Sequence, residues 1–281
     1  MTDEELMRTI LHDEHLLLGA VMGEGALGRL VPLSYPAATL GSPSTDGALL
    51  CDLTGHGSLL MSGPSSPQFV AAAFAGRLLA IGEVSLEAVL TGDGALVSVA
   101  LLARTGDAEY ACWDLTGTGD ALHAWLSFLS NVEQGGSRVF PELSIEDASE
   151  ALVPLLLWGN YASTVLSDYT ANQAIPAAGT IASLNLDAIG CLVAAPRLGA
   201  EPAFLVLVPP RYARVLWRSF LSFPAVMPVG KLDLVSYVAS LYPQLGDLSV
   251  SGQRVVVSGA ALAEAGLIRE ERNFVGARGL S

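Results

Sequence analysis

The sequence is poor in basic residues. It has 14 Lys and Arg against 28 Asp and Glu in 281 residues, which gives a formal net charge of −14 at pH 7. Binding to nucleic-acid phosphates or to an anionic membrane surface requires clustered cations, and no such cluster occurs along the chain. We therefore predict no nucleic-acid partner and no membrane partner.

The sequence also lacks an apolar run that is typical of a membrane span or a signal peptide. The longest uncharged apolar stretch, 151–167, is interrupted by Pro154, Gly159 and Asn160, so it favours a buried helix. The opening segment MTDEELMRTILHDEH is acidic and has no basic region followed by an apolar one. We therefore expect no signal peptide.

Cysteines are few, and each lies in an apolar segment without forming a CxxC pair: Cys51, Cys112 and Cys191. This usage is typical of buried thiols in a protein of the reducing cytoplasm.

Phosphate-binding signatures are missing too, because no G-x-G-x-x-G follows a strand and no phosphate loop is present.

The N-terminal region predicts one amphipathic helix over residues 1–21, with Leu6, Ile10, Leu11 and Leu17 on one face. His12 and His15 in this helix have a spacing that suits a metal site. No third ligand follows at a usual spacing, so the acidic surroundings favour a solvated face.

The stretch LLCDLTGHGSLLMSGPSSPQF, from Leu49 to Phe69, predicts a strand, a tight turn, a second strand and the start of a helix. Its turn places a carboxylate (Asp52), a hydroxyl (Thr54) and an imidazole (His56) where the backbone comes close to a ligand. His56 has two interpretations, a turn residue or a proton carrier whose ordinary pKa of about 6.5 suits that task.

The segment that follows predicts a mixed α+β arrangement. A helix after Phe69, strands over 84–88, 95–103 and 110–113, and a helix over 120–129 give the order strand, helix, three strands, helix. Thr91-Gly92-Asp93-Gly94 predicts the hairpin turn. Further on, Ser144-Ile145-Glu146-Asp147 predicts a capped helix start.

Several of these segments resemble the glycine cleavage system T-protein (aminomethyltransferase) family. The family pattern F-D-V-S-H-M-G-x-x-x-V-S-G-P-D-A is matched in register by Asp52, Gly57, Ser62, Gly63 and Pro64. Its strand N-E-x-G-G-V-I-D-D-L-x-V-Y-R is similar to the stretch from Asp93 to Arg104.

The resemblance also shows departures at functional positions. The family's catalytic Asp falls on Ser98, which leaves two interpretations, a small polar strand residue or a hydrogen bond to folate. The ligand-facing hairpin R-T-G-Y-T-G-E-D-G-F-E-L retains Glu201 and Phe204. The family's Glu that binds the pterin corresponds to Val238. The neighbouring residue, Tyr237, is expected either to stack on the pterin or to lie in the core.

The resemblance implies an α+β fold of two interleaved ferredoxin-like domains around a central cleft, without the family's C-terminal barrel domain. The first domain is expected to comprise residues 1–50 with 141–230, and the second 51–140 with 231–281.

The resemblance further implies a tetrahydrofolate-binding protein of one-carbon metabolism, an aminomethyl or methyl transferase or a demethylase component. Its expected catalytic residues are Asp52, His56 and Ser98, and its expected cofactor-binding residues are Thr54, Arg104, Asp114, Glu201, Tyr237 and Val238. Expected partners are folate or a small one-carbon donor, and a second copy or a partner subunit. The alternative is a non-catalytic scaffold or subunit that kept the fold and lost folate chemistry.

Overall fold

The chain divides into two compact units, each built from two separate stretches of sequence. One unit is Met1–Gly55 with Ser149–Leu234, and the other is His56–Ala148 with Val235–Ser281. The computed structural model describes residues 6–36, 46–171, 173–245 and 255–280.

Both units contain helices as well as strands. In chain order the strands are β1 (Met7–Arg8), β2 (Val21–Glu24), β3 (Arg29–Ser34), β4 (Ala48–Asp52), β5 (Ser58–Ser62), β6 (Val84–Leu90), β7 (Ala95–Gly106), β8 (Glu109–Asp114), β9 (Glu133–Gln134), β10 (Ser137–Arg138), β11 (Ser144–Asp147), β12 (Val153–Trp158), β13 (Ile181–Leu186), β14 (Ile189–Ala194), β15 (Ala203–Val208), β16 (Val226–Pro228) and β17 (Val255–Val256). The α-helices are α1 (His12–Leu17), α2 (Ser66–Ala73), α3 (Gly119–Ser130), α4 (Ala162–Asp168), α5 (Ala213–Leu221), α6 (Lys231–Leu241) and α7 (Gly259–Glu264).

The first unit is organised on a six-stranded sheet in the order β13-β14-β15-β12-β4-β16. Every residue of the central strands β12 and β15 is buried, as expected for strands that are covered on both faces. Helices α1, α4 and α5 belong to this unit, and α5 contributes Trp217 and Phe220 to its core. A small sheet, β1-β3-β2, completes it. Asp52, the last residue of β4, lies opposite Leu155 of β12.

The second unit is organised on another six-stranded sheet, in the order β11-β5-β8-β7-β17, with β6 also paired to β7. Helix α3 buries Leu122, Leu126 and Leu129, which recur at helical spacing. The register places Ala100 of β7 between Glu87 of β6 and Asp114 of β8.

The structure confirms the predicted mixed α+β class. The order strand, helix, three strands, helix appears as β5, α2, β6, β7, β8 and α3. The hairpin turn at 91–94 forms as predicted, since the backbone N–H of Thr91 donates to the Ala95 carbonyl at 2.8 Å. Among the residues described, the sheets are open paths of strands, and none closes into a barrel.

The single helix predicted over 1–21 is wrong for the residues that the structure describes. Helix α1 is six residues long, and Met7 and Arg8 instead pair in parallel with Arg29 and Leu30. Leu17, placed on the apolar face, is 75% exposed. The N-terminal part of the predicted helix, 1–5, lies outside the described residues.

Two other helix predictions are also wrong. The stretch 151–167 contains strand β12 and helix α4, separated at Gly159, whose φ is +118°. A Cβ at this position would lie 2.6 Å from the carbonyl oxygen of Gly47, so only glycine fits the junction. The predicted helix start at 144–147 is instead the edge strand β11, which pairs antiparallel with β5.

The three cysteines are buried free thiols, in agreement with the sequence. Burial raises the pKa of the Cys112 thiol to about 12 and that of Cys191 to about 11. These thiols therefore stay protonated near neutral pH. Within the described part of the chain, no helix has the length and apolar character needed to span a membrane.

Glu87 on β6 is a carboxyl group in the interior of the second unit. Its side chain is fully buried, and burial raises its pKa to about 7 even though Ser85, the Gly76 backbone and Arg269 act in the opposite direction. The nearby Arg269 donates to the carbonyls of Phe74 and Gly76 at 2.7 and 2.9 Å.

The raised pKa of Glu87 predicts a pH-dependent stability. Between about pH 4.5 and 7 the unfolded chain ionises before the folded one, so the free energy of unfolding should fall as the pH rises, by about 3 kcal/mol in total. Glu87→Gln should remove this contribution. Urea unfolding of the parent protein and of Glu87→Gln at several pH values measures this effect. The difference between their free energies of unfolding should grow up to about pH 7 and then stay constant.

The matched control is Glu109→Gln, which changes an exposed carboxyl group on β8 of the same unit. Its stability curve should run parallel to that of the parent protein. A Glu87→Gln curve that is also parallel to the parent would contradict the assignment.

Candidate functional site

A buried carboxylate, Asp52, ends strand β4 in the first unit. Its Oδ1 accepts the backbone N–H of Thr54 at 2.8 Å and the Thr54 hydroxyl at 2.5 Å. Its Oδ2 lies 3.0 Å from Nε2 of His15. Burial alone would raise the pKa of Asp52, but the contacts with His15 and Thr54 together lower it below the ordinary value.

His15 is the centre of this network. Because Asp52 is an ionised acceptor, Nε2 of His15 donates the hydrogen bond between them. Its Nδ1 lies 2.7 Å from the hydroxyl of Tyr35, whose pKa is raised by burial, so the phenol keeps its proton. Trp217 of α5 packs edge-on against the imidazole, with ring centroids 5.1 Å apart.

A second pair of contacts holds α1 in place. Arg218 of α5 donates from Nε and Nη2 to the two carboxylate oxygens of Glu14, both at 2.7 Å. Bidentate pairs of this kind fix the relative orientation of two groups. The contacts therefore help to hold His15, the next residue of α1, in position for Asp52.

The second unit contains another buried carboxylate, Asp114, at the end of β8. Its Oδ1 accepts from the Ser98 hydroxyl at 2.6 Å, from the backbone N–H and hydroxyl of Thr116 at 3.1 and 2.7 Å, and from the Thr118 hydroxyl at 3.2 Å. Asp114 is fully buried and Ser98 is 1% exposed. The other oxygen, Oδ2, has no hydrogen-bond partner among the described residues.

The two carboxylates begin the same four-residue segment, Asp-Leu-Thr-Gly, at 52–55 and at 114–117. In both, the Asp side chain accepts from the backbone and hydroxyl of the Thr two residues later, as in an Asx turn. The sequence reasoning missed this repeat, although it is visible in the chain and would have drawn attention to Thr116.

The other predicted catalytic residue, His56, belongs to the second unit and is 1% exposed. The structure thus brings Asp52 together with Thr54, and Ser98 together with Asp114. The catalytic role of His56 stays a prediction.

The remaining predicted ligands lie in different surroundings. Arg104 donates to the carbonyls of Leu79, Gly106 and Asp107 at 2.9 to 3.2 Å, so its guanidinium is held by backbone. Glu201 is exposed and lines a groove of about 420 Å³ in the first unit, together with Arg197.

Tyr237 and Val238 both lie on helix α6. The Tyr237 side chain is half-buried, whereas Val238 is fully buried. Their assignment to a cofactor stays a prediction, as it does for Thr54, Arg104, Asp114 and Glu201.

The interpretation of His12 and His15 as a solvated face is wrong. His12 is 6% exposed. His15 is fully buried, and its hydrogen-bond partners, Asp52 and Tyr35, lie far away in sequence. No group of three or more potential metal ligands occurs in the part of the chain that the structure describes. Local spacing gives no signal for such contacts, so His15 and Tyr35 were missed as members of the site.

Residues 11–230 match the family model of the GCVT N-terminal domain. A search of curated proteins finds no significant match.

Solved structures include two similar chains. The glycine cleavage system aminomethyltransferase T from Bartonella henselae has a TM-score of 0.71 and 22% identity over 98% of this chain and 74% of that one. The heterotetrameric sarcosine oxidase from Corynebacterium sp. U-96 has a TM-score of 0.39 and 17% identity over 79% of this chain and 98% of that one. The TM-score of 0.71 shows that this chain shares its fold with the aminomethyltransferase. The TM-score of 0.39 is too low to indicate a shared fold with the sarcosine oxidase.

The Asp52 network predicts a strong dependence of stability on His15. His15→Phe retains an aromatic ring beside Trp217 but removes the donor to Asp52, which leaves a buried carboxylate with an unpaired oxygen. We expect a loss of about 3 to 5 kcal/mol in the free energy of unfolding at neutral pH, measured by urea denaturation.

The control is His123→Phe, the same substitution at a half-buried position on α3. This control should lower the free energy of unfolding much less than His15→Phe does. The pKa of Asp52 should also rise in His15→Phe, which NMR titration of the carboxyl carbon can follow. Equal stability losses in the two variants would rule out the proposed role of His15.

Proposed function

The chain belongs to the GCVT N-terminal domain family, and on this premise we propose that it is a tetrahydrofolate-binding protein of one-carbon metabolism. Its reaction would be aminomethyl or methyl transfer, or the folate-dependent part of a demethylation. The observation that carries the proposal is the 2.6 Å hydrogen bond between Ser98 and the buried carboxylate of Asp114.

We propose that this hydrogen bond compensates for the departure at position 98 that the resemblance implies. Where the family pattern has its catalytic carboxylate, this chain has a serine, which neither takes a proton nor stabilises a cation well near neutral pH. Asp114 lies on the neighbouring strand β8 and contacts Ser98 directly. We propose that the pair replaces the single carboxylate of the family pattern.

Part of the donor and acceptor set fits tetrahydrofolate. Asp114 has one buried carboxylate oxygen without a protein partner, which suits an N–H group of the cofactor. Tyr237, in the same unit, offers a half-buried ring for stacking. Tetrahydrofolate, when bound, supplies the nitrogen atoms that carry the one-carbon unit, and the residues of this chain bind and orient it.

Proton transfer is assigned to His56 rather than to Asp52. Both oxygens of Asp52 are hydrogen-bonded within the protein and its pKa is lowered, so it is a poor base near neutral pH. Asp52 and Thr54 then shape the turn that precedes His56.

The finer architecture is part of the proposal. The two units would be the two interleaved ferredoxin-like domains of the family, and each unit is indeed made of two chain stretches around a six-stranded sheet. A cytoplasmic location and assembly with a second copy or a partner subunit complete it.

Val238 favours a second candidate function, a non-catalytic subunit that kept the fold. The resemblance places a pterin-binding Glu at this position, and a fully buried valine offers no acceptor for the pterin edge. The two candidates differ in a measurable property, because only the first requires folate binding.

Calorimetric titration of the purified protein with tetrahydrofolate and with 5-formyl-tetrahydrofolate tests the first candidate. We expect micromolar binding, and a loss of about 5-fold in affinity in Ser98→Val, because a hydrogen bond to a carboxylate is worth about 1 kcal/mol or more.

Ser85→Val is the matched control. Ser85 is also a strand serine that donates to a buried carboxyl group, Glu87, which lies two residues later on the same strand, β6. Its affinity should equal that of the parent protein. Absence of heat and of a thermal shift with either folate at millimolar concentration would refute folate binding and favour the scaffold.

A further inference from the structure

The second unit contains a groove of about 520 Å³ that is separate from the contacts of Asp114. It is formed by residues 272–278, together with Ala72 of α2 and Gly92 of the turn between β6 and β7. We call it the arginine groove, because Arg272 and Arg278 line it. None of its residues is among those expected to bind folate.

The two arginines of the groove carry unpaired positive charge. Both are exposed, and neither makes a hydrogen bond or an ion pair with a residue that the structure describes. The chain has twice as many acidic as basic residues, and Arg77 of the same unit does contact a carboxylate, that of Glu83, at 2.7 Å. Among the described residues that line the groove, none is acidic. A negatively charged group that enters it therefore meets two available guanidinium groups.

The backbone of the groove is held in place by Arg269. Its Nε donates to Oδ1 of Asn273 at 2.6 Å, and its Nη1 donates to the carbonyl of Phe74, just after α2, at 2.7 Å. The backbone N–H of Val275 donates to the carbonyl of Ala72 at 2.8 Å. Because these contacts do not depend on a ligand, the groove is formed in advance, which reduces the entropy cost of binding.

The backbone also fixes where the two arginines stand. Arg272 has a φ of +46°, in the left-handed region that favours glycine, and its Nη2 lies 2.9 Å from the place of a Cβ on Gly259. Near Arg278, a Cβ on Gly276 would lie only 2.5 Å from the carbonyl oxygen of Thr91, so the chain lies directly against the turn. Strained backbone of the kind at Arg272 occurs preferentially at ligand sites.

We propose that the arginine groove binds a small organic anion, whose phosphate or carboxylate group contacts Arg272 and Arg278. Guanidinium groups match both kinds of anion with paired N–H donors. The half-buried side chains of Ala72 and Val275 give the groove an apolar wall for the carbon part of the ligand. This site is additional to the proposed folate site and does not rest on it.

Calorimetric titration of the full-length protein with phenyl phosphate, benzoate and phenol at low ionic strength tests the proposal. The first two probes supply the two kinds of anion, and phenol supplies the ring without the charge. We expect at least one anion to bind more tightly than phenol. In the double variant Arg272→Gln/Arg278→Gln its affinity should fall about 10-fold or more, because hydrogen bonds to charged groups are lost.

Arg138→Gln is the matched control, because Arg138 is another exposed arginine of the second unit, on β10 and outside the groove. Its affinity for the anion should equal that of the parent protein. All three arginines are exposed, so their replacement leaves the core of the unit intact. Added salt should weaken binding to the parent protein, because exposed charges are screened.

The outcomes identify the ligand or overturn the site. Binding of phenyl phosphate alone assigns the groove to phosphate esters, and binding of benzoate alone assigns it to carboxylates. Phenol that binds as tightly as either anion, or a loss in the double variant no larger than in Arg138→Gln, overturns the proposal. Absence of binding of both anions at millimolar concentration overturns it as well.

NMR spectra of the parent protein locate the bound anion independently of the variants. The backbone amide signals of Gly92 and Gly276, which line the groove, should shift as the anion is added. Shifts that leave both signals unchanged would show that the anion binds elsewhere and would overturn the assignment.

Discussion

Burying a carboxylate in a protein is costly unless its oxygens are hydrogen-bonded, and this cost organises the first unit. Asp52 stands at the end of β4 and is satisfied by Thr54 from its own turn and by His15 from α1. Since His15 also contacts Tyr35 and Trp217, one charge connects α1, the end of β3 and α5. The surrounding apolar core stabilises these elements, but the charge decides how they are arranged.

The second unit contains the same turn with different surrounding partners. Its Asp-Leu-Thr-Gly segment positions Asp114, and hydroxyl groups from Ser98 and Thr118 donate further hydrogen bonds to Oδ1 of this carboxylate. Ser98 of β7 therefore contacts a carboxylate directly, because it hydrogen-bonds to Asp114 on the next strand. Substitutions in a site have to be judged together with the residues that they contact.

The α+β architecture could be predicted because its signals are local. The spacing of Leu122, Leu126 and Leu129 identifies α3, and the Thr91 turn identifies the hairpin between β6 and β7. Segment 144–147 has a helix-start pattern, yet it forms a strand because the edge of β5 offers backbone partners that no local pattern records.

The candidate site was predictable only in part, for the same reason. Asp52 and Thr54 lie in one turn, and their pairing follows from a spacing of two residues. His15 is 37 residues away from Asp52, so its helical position alone indicated a surface residue. Ser98 and Asp114 could be named from the resemblance, but their contact depends on the register between β7 and β8.

The discontinuity of both units has a consequence for biosynthesis. The strand β4 leaves the ribosome long before β12, its antiparallel neighbour, and β7 long before β17. Arg269, which donates to the carbonyls of Phe74 and Gly76, emerges more than 190 residues after them. Neither unit can complete its sheet during early translation, so apolar strands of the nascent chain remain without partners for an extended time. The strongly negative charge of the chain helps to keep this unfinished polypeptide from associating with other copies.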